Sequence, residues 1–289
     1  MEIAIHLGVH CTDDERLLRC LTANAAMLRA EEVAVPDPDA YRVLLRDAAG
    51  ALQGAPASQE TEDVMLEQIL DDTRRPRRMI LSWDNFLSFP QWAVRGGTLY
   101  PTAPKRVQAL NQTFPNQQVA FFMAIRNPAT FLPDLCARKR KPLAEMLGGG
   151  DAEALRWSET IAEIISYNPD IPLIVWCDED TPLIWHEILE AVTGLPDGTT
   201  LQGWDDLLHH LLEEEGFRAL HAALAETQAP AHRRTIIAHL LEEFGRPEAL
   251  EDEFDMPEWD QATVDRMTHA YDQDVERIRA MQGVTFLTP

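Results

Sequence analysis

The chain has 289 residues, 45% of them hydrophobic, enough to fill one large α/β domain with or without a helical extension. Its formal net charge of −23 excludes general nucleic-acid binding, which rests on neutralising phosphates with Lys and Arg. Four cysteines, Cys11, Cys20, Cys136 and Cys177, form no CxxC pair, so neither a zinc ribbon nor a thioredoxin-like redox motif is expected.

The first residues carry no basic leader, and no apolar run reaches the length that spans a bilayer. The expectation is a soluble cytoplasmic protein with free thiols and no membrane contact. An apolar run from Ile3 to Leu7 ends at Gly8, a polar bend follows, and Leu17, Leu18 and Leu21 recur at helical spacing. This is a strand, a tight loop and a helix expected to continue to about Ala30.

A glycine-started loop between a strand and a helix is how α/β proteins hold phosphate, because backbone N–H groups and the helix dipole converge there. A phosphate loop reads Gly, four residues, Gly-Lys-Ser/Thr. Counted from Gly8, those last three places hold Asp13, Asp14 and Glu15. Carboxylates at a helix start stabilise the helix, with Thr12 or Asp13 as its cap, but they repel a bound phosphate.

Val33 to Val35 is short and apolar and is stopped by Pro36 and Pro38. Helices are expected over 41–51 and 58–70, then a strand over 78–82 followed by Asp84 and Asn85. Residues 86–100 are aromatic-rich and irregular, with Gly96 and Gly97 as a flexible point, and 105–113 reads as helix. Residues 119–125 are apolar throughout, the mark of a strand buried on both faces, as in a parallel sheet. Arg126-Asn-Pro128 follows at the carboxyl end of that strand, the edge where open α/β sheets bind ligands.

A helix over about 129–140 comes next, its first turn limited by Pro133, then the loop Gly148 to Gly150 and an amphipathic helix over 151–165. Residues 172–177 form the fourth strand, closing on Asp178, Glu179 and Asp180, and 182–192 is helical. Beyond it the chain reads as helices over 204–212, 217–225, 232–244 and 261–281, with an acidic stretch over 248–260. The fold class is therefore α/β, a P-loop-type parallel sheet flanked by helices, with a core over 1–195 and an acidic helical extension over 196–289 packing on it.

Charge is unevenly spread. Residues 178–289 hold 25 acids and 7 Lys/Arg, a balance of −18, whereas 74–141 hold 2 acids and 12 Lys/Arg, a balance of +10. This basic island, with Arg74, Arg75, Arg77, Arg78, Arg95, Lys105, Arg106, Arg126 and the run from Arg138 to Lys141, reads in two ways. It is a solvated surface with salt bridges to the acidic C-terminal part, or a cleft for an anionic small molecule or sugar.

Ile5-His-Leu-Gly-Val-His-Cys-Thr12, Met79-Ile-Leu-Ser-Trp-Asp-Asn-Phe86, Phe121-Phe-Met-Ala-Ile-Arg-Asn-Pro-Ala-Thr-Phe131 and the closing helix from Val264 to Met281 together resemble the sulfotransferase family of P-loop proteins, in its bacterial branch. The resemblance implies a donor loop, His-Lys-Thr-Gly-Thr-Thr in the family, that holds the 5′-phosphosulfate of the donor PAPS. The matching positions are His10, Cys11, Thr12, Asp13, Asp14 and Glu15: the lysine is a cysteine, the glycine and the second pair of hydroxyls are acids, and of these phosphate-holding groups only Thr12 remains. It also implies a 3′-phosphate site made by an Arg and by a Ser eight residues on; Arg126 matches, and Asp134 stands where the Ser would be.

The resemblance thus carries Gly8, His10, Thr12 and Arg126 as donor-binding positions and Asp84 as the acceptor's general base, which is otherwise a turn or capping Asp beside Asn85. It leaves two functions open. One is a sulfotransferase-like protein with a degenerate PAPS site, acting in binding or interaction; the other is an active PAPS-dependent enzyme acting on a carbohydrate or lipid hydroxyl.

Other constellations are weaker. His6, His10, Cys11, Asp13 and Asp14 are metal-ligand types, but His6 falls in a buried strand and no metal site is assigned. His209, His210, His239 and Glu243 read as solvated helix surface. Trp83, Phe86, Phe89 and Trp92 line a sugar-stacking pocket or are core. Gly-x-Ser-x-Gly, His-Glu-x-x-His and the Rossmann glycine fingerprint are absent.

Overall fold

The computed structural model describes residues 1–70, 75–196, 198–225, 229–250, 256 and 259–289. In chain order the first half runs β1 (Glu2–His6), α1 (Arg16–Ala23), α2 (Ala25–Ala30), β2 (Val33–Ala34), α3 (Pro38–Leu52), α4 (Gln59–Leu70), β3 (Arg78–Ser82), β4 (Val94–Arg95), β5 (Thr98–Leu99), α5 (Ala103–Thr113) and β6 (Gln118–Ile125). The second half runs α6 (Pro128–Lys139), α7 (Leu143–Leu147), α8 (Trp157–Tyr167), β7 (Leu173–Cys177), α9 (Thr181–Thr193), α10 (Asp206–Leu211), α11 (Glu214–Leu224), α12 (Pro230–Phe244), α13 (Pro247–Leu250), α14 (Gln261–Arg279) and β8 (Val284–Phe286).

Six strands pair in parallel in the order β2-β3-β1-β6-β7-β8, so the expected α/β class with a parallel sheet flanked by helices is what the structure has. Side chains alternate across the sheet, and each face has its own core. Ile3, Ile5, Met79, Leu81, Phe121 and Met123 pack with α3, α4, α5, α6, α8 and α14, while Ala4, Ile80, Phe122 and Trp176 pack with α1, α2 and α9. Burial of a large side chain such as Phe121 or Trp157 stabilises the fold by about 1.5–3 kcal/mol.

The path from β1 to β2 uses the α1 face and moves toward one edge; the path from β6 to β7 uses the opposite face and moves toward the other. A right-handed crossover allows a change of direction only with such a change of face. The chain therefore parts at the carboxyl ends of β1 and β6, which is where open sheets form their binding crevice.

Local differences from the sequence reading have local causes. The first helix breaks at Asn24, whose Nδ2 donates to Cys20 O and to Gln202 O while its Oδ1 accepts from Gln202 N at 2.8 Å. The helix expected from 151 starts at Trp157, because Asp151 accepts from Glu153 N and caps a separate short turn. Pro133 lies inside α6 without ending it. Gly96 and Gly97, both at positive φ, make the two-residue turn of the β4–β5 hairpin and are not a loose point.

After residue 195, α10, α11 and α12 enclose a small cluster of their own around Leu208, Leu220 and Ile237, whereas α14 and β8 return to the main sheet. No helix among the described residues is long and apolar enough to cross a membrane.

Candidate functional site

The carboxyl edge of the sheet brings four segments together: Leu7–Glu15 after β1, Trp83–Asn85 after β3, Arg126–Asn127 after β6 and Asp178–Asp180 after β7. Gly8 is required by a close approach. Its φ is +56°, and a Cβ there would lie 2.7 Å from the Asp84 backbone, so only glycine lets the β3 loop rest on the β1 loop.

The β1 loop is strained and tied to itself. Cys11, Asp14 and Glu15 all occupy the left-handed region, at φ 60°, 48° and 61°, a conformation that costs a non-glycine residue about 1 kcal/mol or more. The Thr12 hydroxyl donates to Val9 O at 2.6 Å and closes the loop. Asp13 Oδ1 accepts from Leu17 N at 3.0 Å and Asp13 O from Arg16 N at 2.9 Å, so the first N–H groups of α1 are taken by the chain itself. Glu15 turns outward and pairs with Arg42 at 2.7 Å.

The Arg126 side chain is 11% exposed and spans the crevice. Its Nη1 donates to Cys11 O at 2.5 Å and to Asp134 Oδ2 at 2.6 Å, and its Nε donates to Thr130 Oγ1 at 3.1 Å. Asp134 thus puts its own carboxylate on the Arg126 guanidinium. Burial pushes the half-buried Cys11 thiol up to about 11, so it is protonated at neutral pH and no ready nucleophile.

These residues do not fit the bound form of PAPS. The loop has no lysine, the helix N–H groups donate to Asp13, and Arg126 already holds an anion.

Asp84 ends a chain of hydrogen bonds that starts in the core. Asn85 Nδ2 donates to Asp84 Oδ1 at 2.7 Å, which turns the acceptor Asn85 Oδ1 toward His10 Nε2, 3.5 Å away. Nε2 then carries the proton of the neutral ring, and Nδ1 accepts from Tyr100 Oη at 2.7 Å while that oxygen accepts from His10 N at 3.0 Å. Arg138 completes the series, 3.3 Å from Asp84 Oδ2 and 3.6 Å from Asp14.

Burial holds the His10 imidazole down to about 4 and raises the Asp84 carboxyl, an effect that Arg138 and Arg42 partly offset. His10 is therefore a neutral, fully buried hydrogen-bonding residue stacked on Tyr100, with no side-chain nitrogen left for a phosphate.

The candidates of the sequence thus fall into two groups. Gly8, His10 and Asp84 meet at a cavity of about 250 Å³ between the β1 and β3 loops. Thr12 and Arg126 line a second cavity, about 670 Å³, reached also by Asp178 and by Leu207 and Leu211 of α10. Sequence alone does not single out Asp178, Tyr100 or Asn85 as site residues. Only Asp178 carries a signal there, as an acid immediately after an apolar strand; its carboxyl is raised well above the usual range by burial.

The basic island disperses in space. Arg74 lies outside the described residues. Arg75 pairs with Asp63, Arg78 with Glu2, Lys141 with Glu145 and Arg138 with Asp84, none of them an acid of the C-terminal part from 178 onward. Arg77 and Arg78 also donate to the last carbonyls of α9, where a cation suits the helix dipole.

His6 lies 2.9 Å from Ser82 Oγ through Nδ1 and stacks on Trp176, while its buried Nε2 has no hydrogen-bond partner among the described residues. Among the described residues no three metal-ligand side chains cluster. The chain matches no family model, and no curated protein matches it in sequence.

Proposed function

We propose that this chain is a sulfotransferase-like α/β protein whose donor nest is occupied by its own carboxylates, and that it works by binding a ligand or partner rather than by moving a sulfuryl group. One observation carries the reading: Asp134 sits 2.6 Å from the Arg126 guanidinium, in the place of a phosphate-facing hydroxyl. Exchange of a donor for a carboxylate there replaces attraction with repulsion toward any incoming phosphate. Asp13 on the first N–H groups of α1 acts the same way at the other half of the nest. The test is titration calorimetry with PAPS and its product PAP: no heat of binding is expected in the micromolar range, and micromolar binding of either would overturn the reading.

One observation favours the alternative, a PAPS-dependent transfer to a carbohydrate or lipid hydroxyl. Asp84 lies at the carboxyl edge with its proton affinity raised by burial, the property asked of a general base. Labelled sulfate appearing in such an acceptor, and lost in Asp84→Asn, would replace the binding reading with this one.

A further inference from the structure

A groove of about 570 Å³ runs along the outer side of α3 and α5, with Tyr167 at the end of α8 on its wall. The groove adjoins the carboxyl-edge site through Trp83 and Asn85 of the β3 loop, but neither the β1 loop nor Asp84 lines it. Its size is within the range that takes a small organic molecule. The wall is apolar, from Leu45, Trp83, Phe86, Leu110 and Tyr167, and Trp83 meets Phe86 edge to face at 5.6 Å. The charged groups on it are Arg46, which pairs with Asp47 at 2.9 Å, and Lys105 and Arg106; no carboxylate among the described residues lines it, although the chain as a whole carries −23.

Two of these cations are placed against local electrostatics. Lys105 and Arg106 stand in the first turn of α5, where the helix dipole favours acids, and that turn has none. Arg106 is half-buried; it donates to Asn85 O at 3.1 Å and lies over the Phe89 ring at 5.8 Å, with no carboxylate partner among the described residues. A cation partly removed from water without a counter-charge costs stability until an anion arrives.

We infer that this groove is a binding site for an organic anion with a ring-bearing apolar body, its charge held by Lys105 and Arg106 and its body lying along Trp83, Phe86 and Leu110. The anionic head supplies the missing counter-charge, and the body covers the partly exposed indole. Such a site names the ligand class for the binding role proposed above and rests on that reading.

The test uses the full chain and 1-naphthyl phosphate as probe, followed by calorimetry, with inorganic phosphate and 1-naphthol as partial probes. Sub-millimolar binding is expected for 1-naphthyl phosphate, weaker binding for either part. The double variant Lys105→Gln/Arg106→Gln should lose at least about tenfold in affinity, since both charged donors to the anionic head are removed. Arg95→Gln/Arg140→Gln removes the same charge elsewhere and should bind as the parent does. Where the Lys105/Arg106 variant fails to melt cooperatively, Lys105→Glu at its exposed position repeats the test.

No binding, equal loss in both double variants, or phosphate alone binding as tightly as 1-naphthyl phosphate would each overturn the assignment. PAP binding that persists in Lys105→Gln/Arg106→Gln would refute the occupied donor nest and leave the groove standing.

Discussion

Asp134 Oδ2 accepts a hydrogen bond from Arg126 Nη1 at 2.6 Å, a cation at the end of β6 held by an anion of the helix that follows it. The arginine is mostly buried and the aspartate half-exposed, so water screens part of the attraction. Asp134→Ser should therefore destabilise the protein by about 1–2 kcal/mol. The same change should let added sulfate raise the melting temperature more than it does in the parent. A parent and a variant that respond equally to sulfate would show that Asp134 does not block the guanidinium.

Gly8 and Asp84 are in backbone contact, and that contact sets the second prediction. Gly8→Ala must move the β3 loop and hold a non-glycine residue at φ +56°, for a loss of about 2–4 kcal/mol. Gly50 gives the contrast: it lies within α3, and a methyl group added there meets nothing within 4 Å, so Gly50→Ala should stabilise by about 0.5–1 kcal/mol. Urea midpoints of the two variants should move in opposite directions.

Asp13 and Glu15 stand two residues apart with unequal tasks. Asp13 caps α1 through Leu17 N, and Asp13→Ala should cost about 0.5–2 kcal/mol, with most of it kept by Asp13→Asn. Glu15 meets Arg42 with half of its side chain in water, so Glu15→Gln should change stability by less than about 1 kcal/mol. Chemical denaturation of the three variants checks the order; equal losses would mean that the cap adds nothing beyond charge.

Sequence discloses what depends on neighbours in the chain. β1, β3, β6 and β7 are continuous apolar runs and can be read directly, whereas β8 has three residues with Thr285 exposed between Val284 and Phe286 and leaves no pattern. The break of the first helix depends on Gln202, 178 residues away from Asn24. At the site, Gly8, Asp84 and Arg126 are visible because each follows a strand end. Tyr100 is not, since it is 90 residues from His10 and sits in an irregular stretch whose aromatic character suggests only core.

The His10 imidazole is held neutral by burial, which outweighs the Asn85 hydrogen bond and is reinforced by the charges of Arg138 and Lys139. Unfolded, it takes up a proton below the ordinary histidine value of 6.5; folded, it does so only near 4. Between those values the unfolded chain binds more protons, so this group's contribution to stability falls as pH drops through that window. The loss across the whole window amounts to about 3 kcal/mol. His6 acts in the same direction, while the raised carboxyls of Asp84 and Asp178 act in the opposite one, gaining stability as pH falls. Total stability therefore does not isolate His10, but the difference between the parent and His10→Gln does. That difference should shrink by about 3 kcal/mol from neutral pH to pH near 4 in denaturation curves taken at matched ionic strength. A difference that stays level would mean that the folded protein protonates His10 as readily as the unfolded chain does, and that burial does not hold it neutral.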